Sequence, residues 1–295
     1  MHIAIHNWMR AEPLEQTAAR ISRQGYHALE IQGAPELYDL SEVRELLKKY
    51  NLKCWGSVTL MMEERNLVAR DEAQRATSIQ YVKDIITMVK ELDGHMVSVV
   101  PGTVGKIVPD GRPKEEWDWA VEALKDCYEY AETSGVLIGI EPINRFETYF
   151  INRGSQALAL AEAVGPNCGV CLDIFHMNLE ESDYQQTIRD CRHRLVGFHV
   201  ADNNRFAPGM GTLNWKEIIS TLKEVGYDGA LSVEFCPPLD RTPANPYPGS
   251  IDEKPEGLTP EQLKFLEDHG SSAFTEEFYS MLTQRSIDTL LPLIT

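Results

Sequence analysis

Four side chains able to hold a cation or move a proton each close an apolar run in the second half of the chain. Glu141 follows Ile138-Gly-Ile140, Asp173 follows Val170-Cys-Leu172, His199 follows Val196-Gly-Phe198, and Glu234 follows Leu231-Ser-Val233. They lie 32, 26 and 35 residues apart, close to one strand-plus-helix unit each. If the apolar runs are neighbouring parallel strands, all four side chains point at one place. Three carboxylates gathered at neutral pH repel one another, so one stays protonated unless a cation sits among them. Three oxygen donors and one imidazole suit a single divalent ion, Mn2+ first, with Mg2+ or Co2+ as alternatives. A solvated loop acid is the ordinary reading of any one of these positions. Four in succession, each closing an apolar run, favour the metal.

Such convergence requires a scaffold that repeats, and the chain supplies one. A short apolar or β-branched run followed by a charged segment of helical period recurs eight times, at about 37 residues per unit. The runs are Ile3–His6, Ala28–Ile31, Leu52–Val58, Met96–Val100, Val136–Ile140, Val170–Leu172, Leu195–Val200 and Leu231–Phe235. The helical stretches include Ser41–Tyr50, with Asp39 and Ser41 as candidate N-caps, and Lys114–Thr133, where Trp117, Val121, Leu124 and Tyr128 recur at three-to-four spacing. A further helix is expected between Leu172 and Leu195 at Tyr184–Cys191, and a last one over about 276–291. Strict alternation predicts a parallel α/β sheet, and eight units predict closure into a single-domain (β/α)8 TIM barrel spanning 1–295. An open doubly wound sheet would carry a glycine-rich loop after its first strand, and Ile5-His-Asn-Trp-Met-Arg10 contains no glycine.

Charge and composition narrow the function. The chain has 28 Lys and Arg against 45 Asp and Glu, a net charge of −17. That balance disfavours nucleic acid and anionic membrane as partners, since both select basic surfaces. No apolar run reaches the roughly 20 residues that a membrane span needs. Six cysteines in 295 residues are not a disulfide framework, and the N-terminus reads as a strand rather than a signal. A cytoplasmic location is expected.

Three motifs, Glu141-Pro-Ile-Asn-Arg-Phe-Glu147, Leu172-Asp-Ile-Phe-His-Met-Asn178 and Phe198-His-Val-Ala-Asp-Asn-Asn-Arg205, resemble those of the xylose-isomerase-like barrels, and within them the ketohexose 3-epimerases. The resemblance runs to about residue 235. It implies that Glu141, Asp173, His199 and Glu234 bind the metal, and that Glu141 and Glu234 also form the acid–base pair. It further implies that Glu147, His176 and Arg205 hold substrate hydroxyls. The expected reaction is enolisation of a keto-sugar: one glutamate removes the proton beside the carbonyl and the other returns one on the opposite face. Two departures point elsewhere in the superfamily. The loop after the fourth strand, Val100-Pro-Gly-Thr-Val-Gly-Lys106, lacks the aromatic residue of the epimerases. Glu234 is followed by a proline-rich segment, 236–260, between the eighth strand and the last helix, holding seven of the sixteen prolines. Both features resemble the catalytic α subunits of C-glycoside deglycosylases, which cleave 3-oxo-C-glucosides and work with a small β subunit. In that elimination a histidine, His176 or His6, would protonate the departing carbon. The substrate is thus a keto-sugar or a 3-oxo-glycoside. The resemblance implies a homo-oligomer, or a hetero-oligomer if the chain is a deglycosylase. A DNA-repair endonuclease on the same barrel needs a basic face and a histidine-rich cluster, and the −17 charge and eight histidines disfavour it. A non-catalytic sugar-binding barrel would have no use for the two glutamates.

Several further residues belong near the mouth. His6 ends the first strand and is a candidate substrate contact, with a packed core histidine as an equal alternative. Lys106, the cation in the strand-four loop, is another, set against a plain solvated lysine. Glu30 interrupts an apolar strand, where a carboxylate is costly unless paired; it either supports the site or touches substrate, or pairs structurally with an arginine. Trp8 and Trp55 could stack on a sugar or pack the rim. Cys168-Gly-Val-Cys171 enters a strand, which sends residues three apart to opposite faces, so neither disulfide nor zinc site is expected. The segment 236–260 is expected to rim the pocket, with Arg241 and Tyr247 shaping its entrance or a subunit contact, set against a plain connector to the last helix.

Overall fold

A computed structural model describes residues 1–252 and 273–295. The eight apolar runs are eight parallel strands: β1 His2–His6, β2 Ala28–Gly33, β3 Lys53–Thr59, β4 Met96–Val99, β5 Leu137–Ile140, β6 Gly169–Asp173, β7 Leu195–Val200 and β8 Ala230–Val233. They pair in chain order, and β1 pairs also with β8, which closes the barrel. Helices α1 Leu14–Gln24, α2 Leu40–Lys49, α3 Glu72–Glu91, α4 Pro113–Ser134 and α5 Gly154–Val164 return the chain between the first six strands. Helices α6 Ile174–Glu180 and α7 Tyr184–Cys191 follow β6, α8 Trp215–Glu224 follows β7, and α9 Glu276–Ile294 ends the chain.

Local chemistry explains where the helices begin. Asp39 accepts hydrogen bonds from the Ser41 and Glu42 amides, Asp71 from Ala73 and Gln74, and Asp183 from Gln186. Each meets amides that the first helical turn leaves without partners. Asp39, and not Ser41, is therefore the cap of α2. Helix α6 was not expected from the sequence. It follows β6 directly, and Asp173 caps it by accepting from the Phe175 amide at 2.7 Å. The last helix also runs three residues further than expected, through Pro292.

Most of the core lies between the barrel wall and the helices, with Ile3, Ile5, Leu29, Ile31, Ile138, Ile140 and Leu231 among the buried strand residues. The sheet also demands close approach inside the wall. A Cβ on Gly56 of β3 would lie 2.2 Å from the Met96 carbonyl oxygen of β4. Gly56→Ala is therefore expected to cost about 1–3 kcal/mol, because backbone cannot move aside as a flexible side chain can. Urea denaturation should show a lower midpoint at unchanged slope. A midpoint equal to that of the wild type would mean that β3 and β4 are less closely joined.

The part of the proline-rich segment from residue 253 on, with Pro255 and Pro260, lies outside the described residues. The described part of the long segment is anchored. Cys236 donates its amide to the Arg205 carbonyl at 2.8 Å, Tyr247 packs against Phe206 and Phe278, and Ile251 bridges Phe274 in antiparallel fashion. Among the described residues no helix is long and apolar enough to cross a membrane.

Candidate active site

The register of neighbouring strands assembles the site. Asp173 of β6 is level with His199 of β7, which is level with Ser232 of β8, and His6 of β1 is level with Glu30 of β2. Glu141 and Glu234 each stand one residue beyond a strand end, and their amides continue the ladders by donating to Val99 and Val200. Glu141, Asp173, His199 and Glu234 each offer one ligand atom, and these four atoms all lie within 4.8 Å of one another. All four side chains are buried. The convergence expected from the strand ends is present.

The donor set fits a divalent cation on charge as well as on distance. Three carboxylates share the cluster, and the nearest guanidinium is that of Arg205, which donates to Asp173 at 3.1 Å and to Glu234 at 3.4 Å. Arg205 offsets one negative charge of three. The strain of the remainder shows in the titration of the group. Burial, with Glu141 and Asp173 adding to it, pushes Glu234 well above the carboxylate range, against His199 and Arg205. Burial acts likewise on Glu141, but His199 and the hydroxyl of Ser98, which donates at 2.6 Å, bring it below its ordinary value. Burial opposes a charge on His199, yet Cys171 and the carboxylates of Glu141, Glu30 and Glu234 raise it well above the histidine range.

Around the four, Arg205 and His176 form the polar rim. Arg205 sits in the loop after β7 at φ +61, a left-handed conformation that side chains seldom adopt, and its guanidinium lies 4.3 Å from the centre of the Phe175 ring. His176, on the unexpected helix α6, receives the Asn144 amide on Nδ1 at 3.2 Å. An acceptor nitrogen carries no proton, so the neutral ring holds its hydrogen on Nε2, the nitrogen 3.6 Å from Asp173 and 3.4 Å from Arg205. Burial lowers the pKa of His176 and so favours that neutral form. Glu147 lines the same cavity and accepts from the Asn144 side chain at 2.7 Å.

The cavity has a volume of about 380 Å3 and two contrasting walls. Glu141, Glu147, His176, Arg205 and Glu234 form one; Trp8, Leu60, Met61, Met62, Val100 and Val104 belong to the other. The apolar wall was not legible in the sequence, because methionine and leucine in a loop look the same as core. Ser98 carried a weak signal, a lone hydroxyl in a buried strand.

Other expected residues are placed elsewhere. Lys106 is not among the lining residues; its ammonium pairs with Asp110, one helical turn on in sequence, so its charge is already engaged. His6 is fully buried behind the carboxylates, with Nε2 at 3.7 Å from Glu30 and 4.0 Å from Glu234, and is not a wall of the cavity. Glu30 faces two histidines rather than an arginine: His199 Nε2 lies 3.2 Å from it and His6 beyond. Trp55 lies at the opposite end of the barrel, near the start of β3, against the rings of His2 and His95. Cys168 and Cys171 are both free and buried. Neither Arg241 nor Tyr247 lines the cavity, although Cys236, at the start of their segment, does.

Comparison with known proteins bears on the whole chain. Residues 18–269 match a family model described as a xylose isomerase-like TIM barrel. A D-psicose 3-epimerase of Enterocloster bolteae is 29% identical over 229 residues, 73% of this chain and 74% of that one. A 3-dehydro-D-guloside 4-epimerase of Escherichia coli is 26% identical over 229 residues, 72% of this chain and 84% of that one. Among solved structures, a D-psicose 3-epimerase from Clostridium cellulolyticum with D-tagatose superposes at a TM-score of 0.80 and 22% identity, covering 100% of this chain and 99% of that one. At that identity the superposition speaks for the fold alone.

Proposed function

The chain belongs to the xylose isomerase-like TIM barrel family, and from that premise we propose that it is a divalent-metal-dependent ketose 3-epimerase. The observation that carries this reading is the set of four buried ligand atoms within 4.8 Å of one another at the C-terminal mouth of the barrel. The names of its relatives support the choice of substrate. Glu141, Asp173, His199 and Glu234 would hold one ion, Mn2+ before Mg2+ or Co2+, since an oxygen-rich set with one imidazole suits hard and borderline ions. When bound, the ion polarises the keto-sugar carbonyl and acidifies the neighbouring C–H.

The chain's own residues do the rest. Glu141 and Glu234 stand on strands separated by two others, so a sugar held between them presents one face to each. One glutamate removes the proton at the carbon beside the carbonyl, and the other delivers a proton to the opposite face, which inverts that carbon. Arg205 and the Nε2 hydrogen of His176 donate to sugar oxygens, and Glu147 accepts from a hydroxyl. Burial keeps water from competing for these partners.

One observation favours a second reading. The apolar wall formed by Trp8, Leu60, Met61, Met62, Val100 and Val104 offers few partners to sugar hydroxyls and would suit an aglycone. The same enolisation could then end in elimination from a 3-oxo-C-glucoside, with His176 as the acid. Incubating the Mn2+-loaded protein in D2O with fructose, allulose and a 3-oxo-C-glucoside separates the two. Deuterium at C3 together with interconversion of the free ketoses is the expected result. Release of free aglycone without that exchange would replace the epimerase reading by the lyase.

A further inference from the structure

Glu30 is a buried carboxylate in the apolar run Ala28-Leu-Glu-Ile31, and its ion-pair partners are two histidines. Burying a carboxylate away from arginine and lysine is costly, so its position calls for a compensating role. It lies on β2, whereas His199 lies on β7, and these strands are not neighbours in the barrel. The side chain therefore reaches across the barrel interior to the far edge of the His199 ring. That edge carries Nε2, at 3.2 Å from Glu30 Oε1, while Nδ1 on the other edge is 2.9 Å from Glu141 and 3.6 Å from Glu234.

We propose that Glu30 is a positioning residue for the metal centre, accepting the Nε2 hydrogen of His199 so that the Nδ1 lone pair is aimed at the site of the ion. The inference rests on the reading of that cluster as a metal site. A neutral imidazole has two tautomers, and only the nitrogen without hydrogen can coordinate. A carboxylate on Nε2 selects the useful tautomer and makes Nδ1 a stronger donor. The alternative neighbour of Nε2, Cys171 Sγ at 3.4 Å, is a weak acceptor and could not do so alone. His6 completes the arrangement. Its ring meets that of His199 edge-on, with centroids 4.7 Å apart and planes at 89°, which hinders rotation. Trp8 donates to His6 Nδ1 at 3.3 Å, so His6 carries its hydrogen on Nε2, facing the second oxygen of Glu30 at 3.7 Å. Both histidines thus turn a hydrogen towards one carboxylate, and His199 keeps its free lone pair for the ion.

Calorimetric titration of the chelated full chain with Mn2+ tests this. Glu30→Gln keeps the size of the side chain and removes its charge, and Mn2+ should bind about 10–100-fold more weakly. Melting of the metal-free variant should fall, because removing one partner of a buried pair leaves His199 without its compensating carboxylate. A fall in metal-free melting with Mn2+ affinity within twofold of wild type would overturn the inference and make Glu30 merely structural. A second measurement needs no variant. In Mg2+-loaded protein with 15N-labelled histidine, the hydrogen of His199 should be found on Nε2; a hydrogen on Nδ1 would overturn the inference outright. If the wild-type protein binds no Mn2+, the metal reading itself fails and this inference with it. Normal wild-type binding beside an insensitive Glu30→Gln overturns the role of Glu30 alone.

Discussion

Glu234→Gln should yield a folded protein that still takes up its ion yet turns a keto-sugar over about 10²–10⁴-fold more slowly, the range lost when a general acid or base is removed. The amide is nearly isosteric with the carboxylate, and its oxygen can still coordinate. What it cannot do is take or give a proton. At position 234 burial, Glu141 and Asp173 oppose a charge on the carboxylate. Removing that charge should leave stability unchanged or raise it. Parallel measurement of bound metal and kcat separates the possibilities. Equal metal content with near-wild-type kcat would remove Glu234 from the proton transfer.

Asp173→Ala should fail one step earlier, by losing the ion. Asp173 is fully buried, and its carboxylate lies among the other three donors, accepts from Arg205 and caps α6 through the Phe175 amide. Its removal takes away a ligand and leaves the guanidinium without its nearer partner. A bound ion stabilises only the folded state, by about 2.7 kcal/mol when present at 100 times its dissociation constant. Wild-type melting should therefore fall by several degrees on chelation, while that of Asp173→Ala should not respond. Asp173→Asn keeps an oxygen for both roles, so it should retain the cap of α6 and part of the response to chelation that Asp173→Ala loses. Equal responses of wild type and Asp173→Ala to chelation would show that Asp173 holds no ion.

How far the site could be read without coordinates follows from what each residue's neighbours are in the chain. Glu141, Asp173, His199 and Glu234 stood out because a polar residue ending an apolar run has only one structural meaning when the runs repeat as parallel strands. The eightfold alternation, and with it the closed barrel, was legible for the same reason. Glu30 was conspicuous, but its partner was not, since pairing across the barrel between β2 and β7 depends on the closed geometry and on ring orientation. Helix α6 is seven residues long and starts at the strand end, too short to show a period. Trp55 lies near the start of β3 and packs against His2 and His95, the packing role set against sugar stacking. Lys106 and Asp110 are four apart, a spacing that already suggests an ion pair, and the pair forms.

Anomalous diffraction at the manganese edge, from crystals of the chelated protein reloaded with Mn2+, tests the metal site most directly. One peak per chain is expected, with a carboxylate oxygen of Glu141, Asp173 and Glu234 and His199 Nδ1 all at roughly 2.0–2.6 Å from it. A peak bound elsewhere on the chain, or none at saturating Mn2+, would contradict the assignment of these four residues as ligands.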